Sequence, residues 1–266
     1  MSEAHGPAPA CGLRCCGLSV VRGGRPVLFD ICTTIRAGEC VSLIGPNGSG
    51  KTTLMLALLG LLPPATGRVE LDGTPMHRMA ARRRGRFASY VPQVVDRIPA
   101  FSVYDVVAAG RFPHVSPLRP LGDADRRAID TALAQSGLTP LAQRQINAIS
   151  GGERQKALIA AAMAQDAEMM FLDEPGTALD PAFQIELAHL LRSWHGRGRG
   201  LVVISHDLQL PAVLGGRVVA LREGRIVADG PAEELLDPAR LATIFDAEFE
   251  IARTDAGREL VVPSWW

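Results

Sequence analysis

Residues Gly45-Pro46-Asn47-Gly48-Ser49-Gly50-Lys51-Thr52 spell G-x-x-x-x-G-K-[ST], and that spacing specifies a chemistry. Glycines let backbone N–H groups close on phosphate oxygens, and a following helix adds the positive end of its dipole. The lysine reaches β- and γ-phosphates, and the threonine hydroxyl can ligate Mg²⁺. The motif requires a buried strand before it and a helix after it. Both are readable: Glu39–Ile44 is a short apolar strand, and Thr52–Leu62, which includes Thr53, is apolar almost all round until Pro63-Pro64 stops it. The rival reading is a glycine-rich turn with a solvated lysine. The chain has only two lysines, Lys51 and Lys156, among 28 basic residues, so an accidental match is improbable.

Further along, the buried run Met169–Leu172 ends in Asp173-Glu174-Pro175. Two carboxylates at a strand end beside a phosphate site supply a metal partner in Asp173 and a general base in Glu174. Alone, such acids are often only solvated; together with the glycine loop they form a constellation. Ser150-Gly151-Gly152-Glu153 opens another helix with small residues and free N–H groups, a second anion-binding terminus. Ser150 can equally be a plain helix cap, and the two roles are compatible. His206 follows the apolar run Leu201–Ser205; taken alone it is more often structural or on the surface.

The elements that must carry these residues follow from the pattern of the rest. Leu13–Val21 and Val27–Ile35 read as strands, as does Gly67–Gly73 between glycines. From Phe101 to about Asn147 the chain turns helical, broken by Pro113, Pro117, Pro120 and Pro140. An α/β core resumes with a helix after Ser150, the strand at Met169, a helix after Pro181, and strands at Leu201–Ser205, Arg217–Leu221 and Arg225–Ala228. This alternation predicts a largely parallel sheet covered on both faces. Phe249–Arg253 and Arg258–Val262 flank Thr254-Asp-Ala-Gly257 as a hairpin.

Composition limits what the chain can meet. Across 266 residues, 28 basic side chains balance 28 acidic ones, and aromatics are few, which argues against nucleic acid as a partner. Cys11, Cys15, Cys16, Cys32 and Cys40 match no metal-ligand spacing and read as small apolar residues in reduced strands. Met1–Ala10 lacks the features of a secretory segment, and Leu54–Leu62 is far short of a membrane span. These features predict a cytoplasmic protein that reaches a membrane only through a partner. The cluster Arg82-Arg83-Arg84-Gly85-Arg86 fits a solvated helix face better than a lipid or nucleic-acid patch. Trp265-Trp266 fits core packing or a dimer contact equally.

Ile149–Gln155 resembles the LSGGQ or LSGGE signature of ATP-binding-cassette (ABC) ATPases. With the two phosphate-site motifs, Gln93 of Val91-Pro-Gln93, Ala178-Leu-Asp180 and His206, the order and spacing are similar to that family from about residue 13 to 235. The resemblance implies a P-loop NTPase: a RecA-like α/β core with an antiparallel β subdomain and an inserted helical subdomain. It divides the chain into a disordered tail (1–12), one ATPase domain (13–240, with core 13–93 and 148–240 and helical part about 94–147), and an extension with a hairpin (241–266). It further implies ATP and Mg²⁺ as cofactors, with Thr52, Asp173 and Gln93 around the metal and Glu174 polarising the attacking water. His206 would contact the γ-phosphate. Two copies would close head to tail, so that one copy's Ser150, Gly151, Gly152 and Glu153 complete the other's ATP site and Asp180 communicates across the pair. A cap before Pro181 is an equally good role for Asp180.

Phe101–His114 (FSVYDVVAAGRFPH) and the C-terminal hairpin are similar to ATPases that serve iron-siderophore, haem and cobalamin importers. On that likeness the partners are a permease dimer, contacted by a cleft near Gln93 and Phe101–His114, and indirectly a periplasmic or lipoprotein substrate-binding protein. The site is then the cytoplasmic face of the membrane, and the cargo an iron chelate, with cobalamin or another metal complex as alternative. Three positions depart from the family. Arg22 stands where an aromatic residue usually stacks on adenine, and its guanidinium plane can stack in its place. Gly176 replaces a commoner threonine, and Ala161 an arginine. A soluble ABC ATPase acting on DNA or ribosomes is a weaker reading because no heptad run lies between Thr53 and Ile149. A P-loop kinase would leave Ser150-Gly-Gly and His206 without work.

Overall fold

The computed structural model describes residues 12–93, 99–116, 119–177, 180–253, 255 and 259–264. Cys11 and the other tail residues 1–10, Pro117, Ala178 and Leu179, most of the turn at 254–257, and Trp265-Trp266 lie outside them; Gly12, expected in the tail, instead begins the first strand. In chain order the elements are β1 (Gly12–Arg22), β2 (Arg25–Arg36), β3 (Cys40–Ile44), α1 (Lys51–Leu58), β4 (Thr66–Leu71), β5 (Thr74–Pro75), α2 (Ala81–Phe87), β6 (Ala88–Val91) and α3 (Val103–Ala109). Then follow α4 (Asp123–Gln135), α5 (Gly151–Ala164), β7 (Met169–Asp173), α6 (Pro181–His195), β8 (Gly200–Ile204) and α7 (Gln209–Leu214). The last are β9 (Arg217–Arg222), β10 (Arg225–Pro231), α8 (Ala232–Leu235), α9 (Pro238–Phe245), β11 (Phe249–Arg253) and β12 (Glu259–Pro263).

The main sheet has the order β10-β9-β3-β8-β7-β6 and is parallel except for β10. Every residue of β3, β7 and β8 is buried, as a parallel sheet covered on both faces demands. The period of two sorts the side chains: Met169 and Phe171 join a core with β1, β2 and α1, whereas Met170 and Leu172 join one with α3, α4, α5 and α6. A separate antiparallel sheet, β2-β1-β4-β5, lies on the α1 side, and α8 and α9 cover Ile44, Val218 and Ala220. Because β3, β7 and β8 are parallel neighbours with Leu43 and Asp173 both in register with Ile204, their C-terminal ends share one edge. Loops leaving that edge carry the phosphate motif, the two carboxylates and His206, as ligand sites on such sheets do.

The segment between β6 and α5 closes on itself. Ser102 bridges to Gln145, and Val103 N–H and Ile146 N–H donate to the carbonyls of Arg144 and Phe101, each at 2.9 Å. At its centre Arg111 is buried. Its Nε donates to Asp125 Oδ1 at 2.9 Å and one terminal nitrogen to the Ala164 carbonyl at 2.7 Å, tying α3 to α4 and α5. Gly110 allows that approach, since a Cβ there would stand 2.1 Å from the Ala161 carbonyl oxygen. Position 161 therefore serves helix packing through its backbone, whichever side chain it carries.

Four points differ from what the sequence predicts. The first helix ends at Leu58, short of Leu62: Gly60 adopts φ +68°, and a Cβ there would lie 2.6 Å from the Met76 backbone, so the chain turns at Gly60 before Pro63 is reached. Strand β6, unexpected from sequence, forms the sheet edge. The cysteines are not uniformly core residues: Cys15 and Cys40 are buried, with thiols that burial pushes up to about 12 and about 11, but Cys16 is half-buried and Cys32 exposed. The arginine cluster does form a helix, α2, yet it is partly engaged. Arg84 donates to Met79 O at 3.0 Å, Arg86 to Pro113 O at 3.2 Å, and Arg82 lies over the Phe112 ring.

Arg111→Ala leaves a carboxylate and a carbonyl without their buried donor. It should destabilise the chain by about 2–4 kcal/mol, read as a lowered urea midpoint; an unchanged midpoint would refute the tie.

Candidate functional site

Residues 45–50 wrap tightly between β3 and α1 because neighbours press on them. A Cβ at Gly45 would lie 2.0 Å from the Leu221 carbonyl oxygen, and one at Gly50, φ +100°, would meet the Leu28 side chain at 2.7 Å. The loop is also held from the β9–β10 turn, where Gly224 N–H donates to the Ser49 carbonyl at 3.1 Å. Asn47 and Gly48 are exposed at the crest, and Thr53 is buried in the first turn of α1. Ser49 Oγ is buried with no hydrogen-bond partner.

Lys51 is 6% exposed and donates to the carbonyls of Gly45 at 2.8 Å and Pro46 at 2.9 Å, so its ammonium lies within the loop it belongs to. Burial pulls its pKa below the ordinary lysine value, against the pull of Glu174 and Asp173. Thr52 Oγ1 donates to Asp173 Oδ1 at 3.2 Å. Burial raises the Asp173 pKa; the Thr52 hydrogen bond opposes the rise and the Glu174 charge adds to it. Tyr90, on β6, lies beside the same carboxylate: burial, with that charge next to it, pushes its phenol up to about 12 while Arg22 opposes the shift. Arg22 itself is exposed at the end of β1, paired with Arg25.

Glu174 is gripped from several sides. Its backbone sits at φ +50°, a conformation a glutamate rarely adopts, with its N–H donating to the Ile204 carbonyl at 3.0 Å. One carboxylate oxygen meets His206 Nε2. The other accepts from Gln93 Nε2 at 2.5 Å and Thr177 Oγ1 at 3.3 Å. Glu174 is 9% exposed, whereas the His206 side chain is 38% exposed. The structure thus brings Gln93, Lys51, Thr52, Asp173, Glu174 and His206 to one strand edge. Sequence reading missed Tyr90, Thr177 and Gly224, whose positions are set by strand pairing and a hairpin that no local motif announces.

Ser150, Gly151, Gly152 and Glu153 are not joined to that edge by any hydrogen bond described. Ser150 caps α5, its Oγ accepting from Glu153 N–H at 3.2 Å while Glu153 Oε2 accepts from Ser150 N–H at 2.8 Å. Asp180 caps α6, accepting from Phe183 N–H at 2.8 Å. Gly176, half-buried, packs near Leu187. Lys156, left without a reason by the sequence, pairs with Glu186 and lies over the Phe183 ring, linking α5 to α6.

Could a divalent ion sit here? Among the described residues no cluster of three or more His, Cys, Asp or Glu side chains forms a metal cage. Thr52 and Asp173 nevertheless present two hard oxygens side by side. That is the provision Mg²⁺ needs when substrate phosphates and waters fill its other positions.

Comparison with known proteins fits this geometry. The ABC transporter family model matches residues 28–177. An iron(3+)-hydroxamate import ATP-binding protein of Bacillus subtilis is 36% identical over 235 residues, covering 88% of this chain and 87% of that one. A hemin import ATP-binding protein of Streptomyces coelicolor is 38% identical, covering 93% and 88%. Among solved structures, a metal-chelate type ABC transporter in an inward-facing conformation superimposes with TM-score 0.83 at 25% identity, covering 96% of this chain and 98% of that one.

The electrostatics make a testable statement. A raised Asp173 pKa means that the native state holds this proton more tightly than the unfolded chain. The charged carboxylate therefore costs stability at neutral pH, a cost relieved as pH falls through the folded pKa, which lies above the ordinary aspartate value. Without nucleotide, Asp173→Asn should be more stable at pH 7 by roughly 0.5–2 kcal/mol, and the gap should narrow towards pH 4. Melting curves across pH check this; an Asn variant that melts lower at pH 7 would contradict it.

Proposed function

The chain belongs to the ABC transporter family as an ATP-binding, ATP-hydrolysing subunit, and we propose that it powers uptake of an iron chelate, a siderophore or haem complex, through a membrane permease. One observation carries the proposed mechanism: Glu174 held at its carboxylate by Gln93, Thr177 and His206, beside the Thr52–Asp173 pair. The names of the relatives motivate the cargo, and a cobalamin import ATP-binding protein among them keeps cobalamin or another metal complex as the second reading.

In the proposed reaction the loop at Gly45, Pro46, Asn47, Gly48, Ser49 and Gly50 presents N–H groups to the phosphates, and Lys51 exchanges its loop carbonyls for β- and γ-oxygens. Arg22 lies at the purine end. Thr52 and Asp173, with Gln93 near, would hold Mg²⁺, which when bound neutralises phosphate charge. Glu174 accepts a proton from water as the water oxygen forms its bond to the γ-phosphorus. The bond to the ADP oxygen breaks, and ADP and phosphate leave. His206, released from Glu174, donates to a γ-oxygen. In the proposed assembly two copies close head to tail, Ser150, Gly151, Gly152 and Glu153 of one meeting the ATP of the other and Asp180 lying between.

The proposed division into a cassette (13–240) with an insert (about 94–147) and an extension (241–266) follows the same reading. Between β6, α3 and α5 lies a groove of about 730 Å³ bordered by Pro92, Pro99, Phe101, Val106 and Leu158. Its apolar wall and half-exposed Phe101 suit a short permease segment; Gln93 and His114 stand outside it, His114 being bonded to the Gln165 carbonyl at 2.7 Å. Among the described residues no helix is long and apolar enough to cross a membrane, in keeping with attachment at the cytoplasmic face through the permease. A substrate-binding protein would deliver cargo from the other side.

Glu174→Gln should bind ATP normally yet release phosphate about 10²–10⁴-fold more slowly, measured by phosphate release under saturating ATP; an unchanged rate removes Glu174 as the base. Lys51→Ala should lose ATP binding in a titration. For the cargo, vesicles holding the copurified permease and its binding protein should import a ferric siderophore or haem on ATP addition. Uptake of cobalamin alone would establish the second reading.

A further inference from the structure

Thiols that the ATP site does not use gather on the antiparallel sheet: Cys15 and Cys16 on β1, and Cys32 on β2. The ladder between these strands pairs Cys15 with Thr33 and next pairs Leu18 with Ile31. Two residues, Cys16 and Gly17, therefore oppose the single residue Cys32, which makes a β-bulge. Gly17 supplies the left-handed backbone, at φ +59°. Its N–H donates to Cys32 Sγ at 3.1 Å, and that nitrogen is the one peptide-bonded to Cys16. With standard backbone dimensions, the Cys32 sulfur then stands within about 5.5 Å of the Cys16 Cα.

The period of two sorts the three thiols. Cys15 points inward with Leu13, Leu18 and Ile31, is 1% exposed, and donates to the Ile31 carbonyl at 3.4 Å. Cys16 and Cys32 fall on the other face, half-buried and exposed. The bulge is held from its far side too: Cys16 pairs with Arg68 of β4, and a Cβ at Gly67 would lie 2.2 Å from the Gly17 carbonyl oxygen. Residues that face each other across antiparallel strands stand about 4.5–5.5 Å apart at Cα, within the about 4.4–6.8 Å that a disulfide spans. We propose that Cys16 and Cys32 are a dithiol modification site whose substrate is a small-molecule disulfide. The exposed Cys32, as thiolate, attacks one sulfur of that molecule; a mixed disulfide forms and one small thiolate leaves. Cys16, its proton lost to water, then attacks the Cys32 sulfur and expels the second thiolate. The chain gives up two electrons and two protons, the small disulfide becomes two thiols, and β1 is joined covalently to β2.

The test equilibrates reduced full-length chain with oxidised glutathione, blocks the remaining thiols, cleaves after arginine without reduction, and reads the fragments by mass spectrometry. Cleavage at Arg14, Arg22 and Arg36 places Cys15 and Cys16 on fragment 15–22 and Cys32 on fragment 23–36. These two fragments should be joined. Because fragment 15–22 holds two thiols, variants identify the one used: the link should persist in Cys15→Ser and vanish in Cys16→Ser, which should instead carry glutathione on Cys32. In Cys15→Ser the folded strands should favour the link at least about tenfold over the same chain in urea, since the bulge holds the thiols together. No link in the folded parent, a link that survives Cys16→Ser, or one that forms as readily in urea overturns the proposal.

Discussion

The rest of this site depends on one constraint: a glutamate carboxylate at the end of a buried parallel strand, held on both oxygens. His206 meets one oxygen, and Gln93 and Thr177 meet the other. These partners come from the loop after β8, the end of β6 and the turn after β7, so the contact exists only if the strand order β8-β7-β6 is right. The left-handed backbone at Glu174 is the local cost of aiming the side chain at that edge. Buried strands with apolar side chains on both faces hold the geometry against that strain.

The same edge concentrates charge. Lys51, Asp173 and Glu174 are all nearly excluded from solvent, with the lysine pKa pulled down and the Asp173 pKa pushed up mainly by burial. The lysine is satisfied by its own loop's carbonyls. These are neutral acceptors that phosphate oxygens can outcompete. A site built this way gives up stability for readiness. Meanwhile the zero net charge of the chain is consistent with recognition by a few aimed groups.

Much of this was legible in the sequence, for physical reasons. The phosphate loop and the strand-end carboxylates are local patterns, since glycine spacing and an apolar run ending in Asp173-Glu174 carry their geometry with them. Gln93 and His206 are single residues that only a family resemblance could single out. Tyr90 and Thr177 were invisible because their contacts come from strand register and a turn, and β6 is a four-residue edge strand with little periodicity. Gly60 ends α1 through a close approach to Met76 that sequence cannot announce. Lys156 acquired its reason only when α5 and α6 were seen packed, with Glu186 and Phe183 beneath the ammonium.

We propose that the His206 contact helps to aim the Glu174 carboxylate and then serves the γ-phosphate, without being needed to bind nucleotide. The most direct test is single-turnover hydrolysis by His206→Ala at saturating Mg²⁺-ATP, alongside a nucleotide titration. ATP affinity should stay within a few fold of the parent while hydrolysis slows by about a hundredfold or more. Hydrolysis at the parental rate with ATP bound would contradict it.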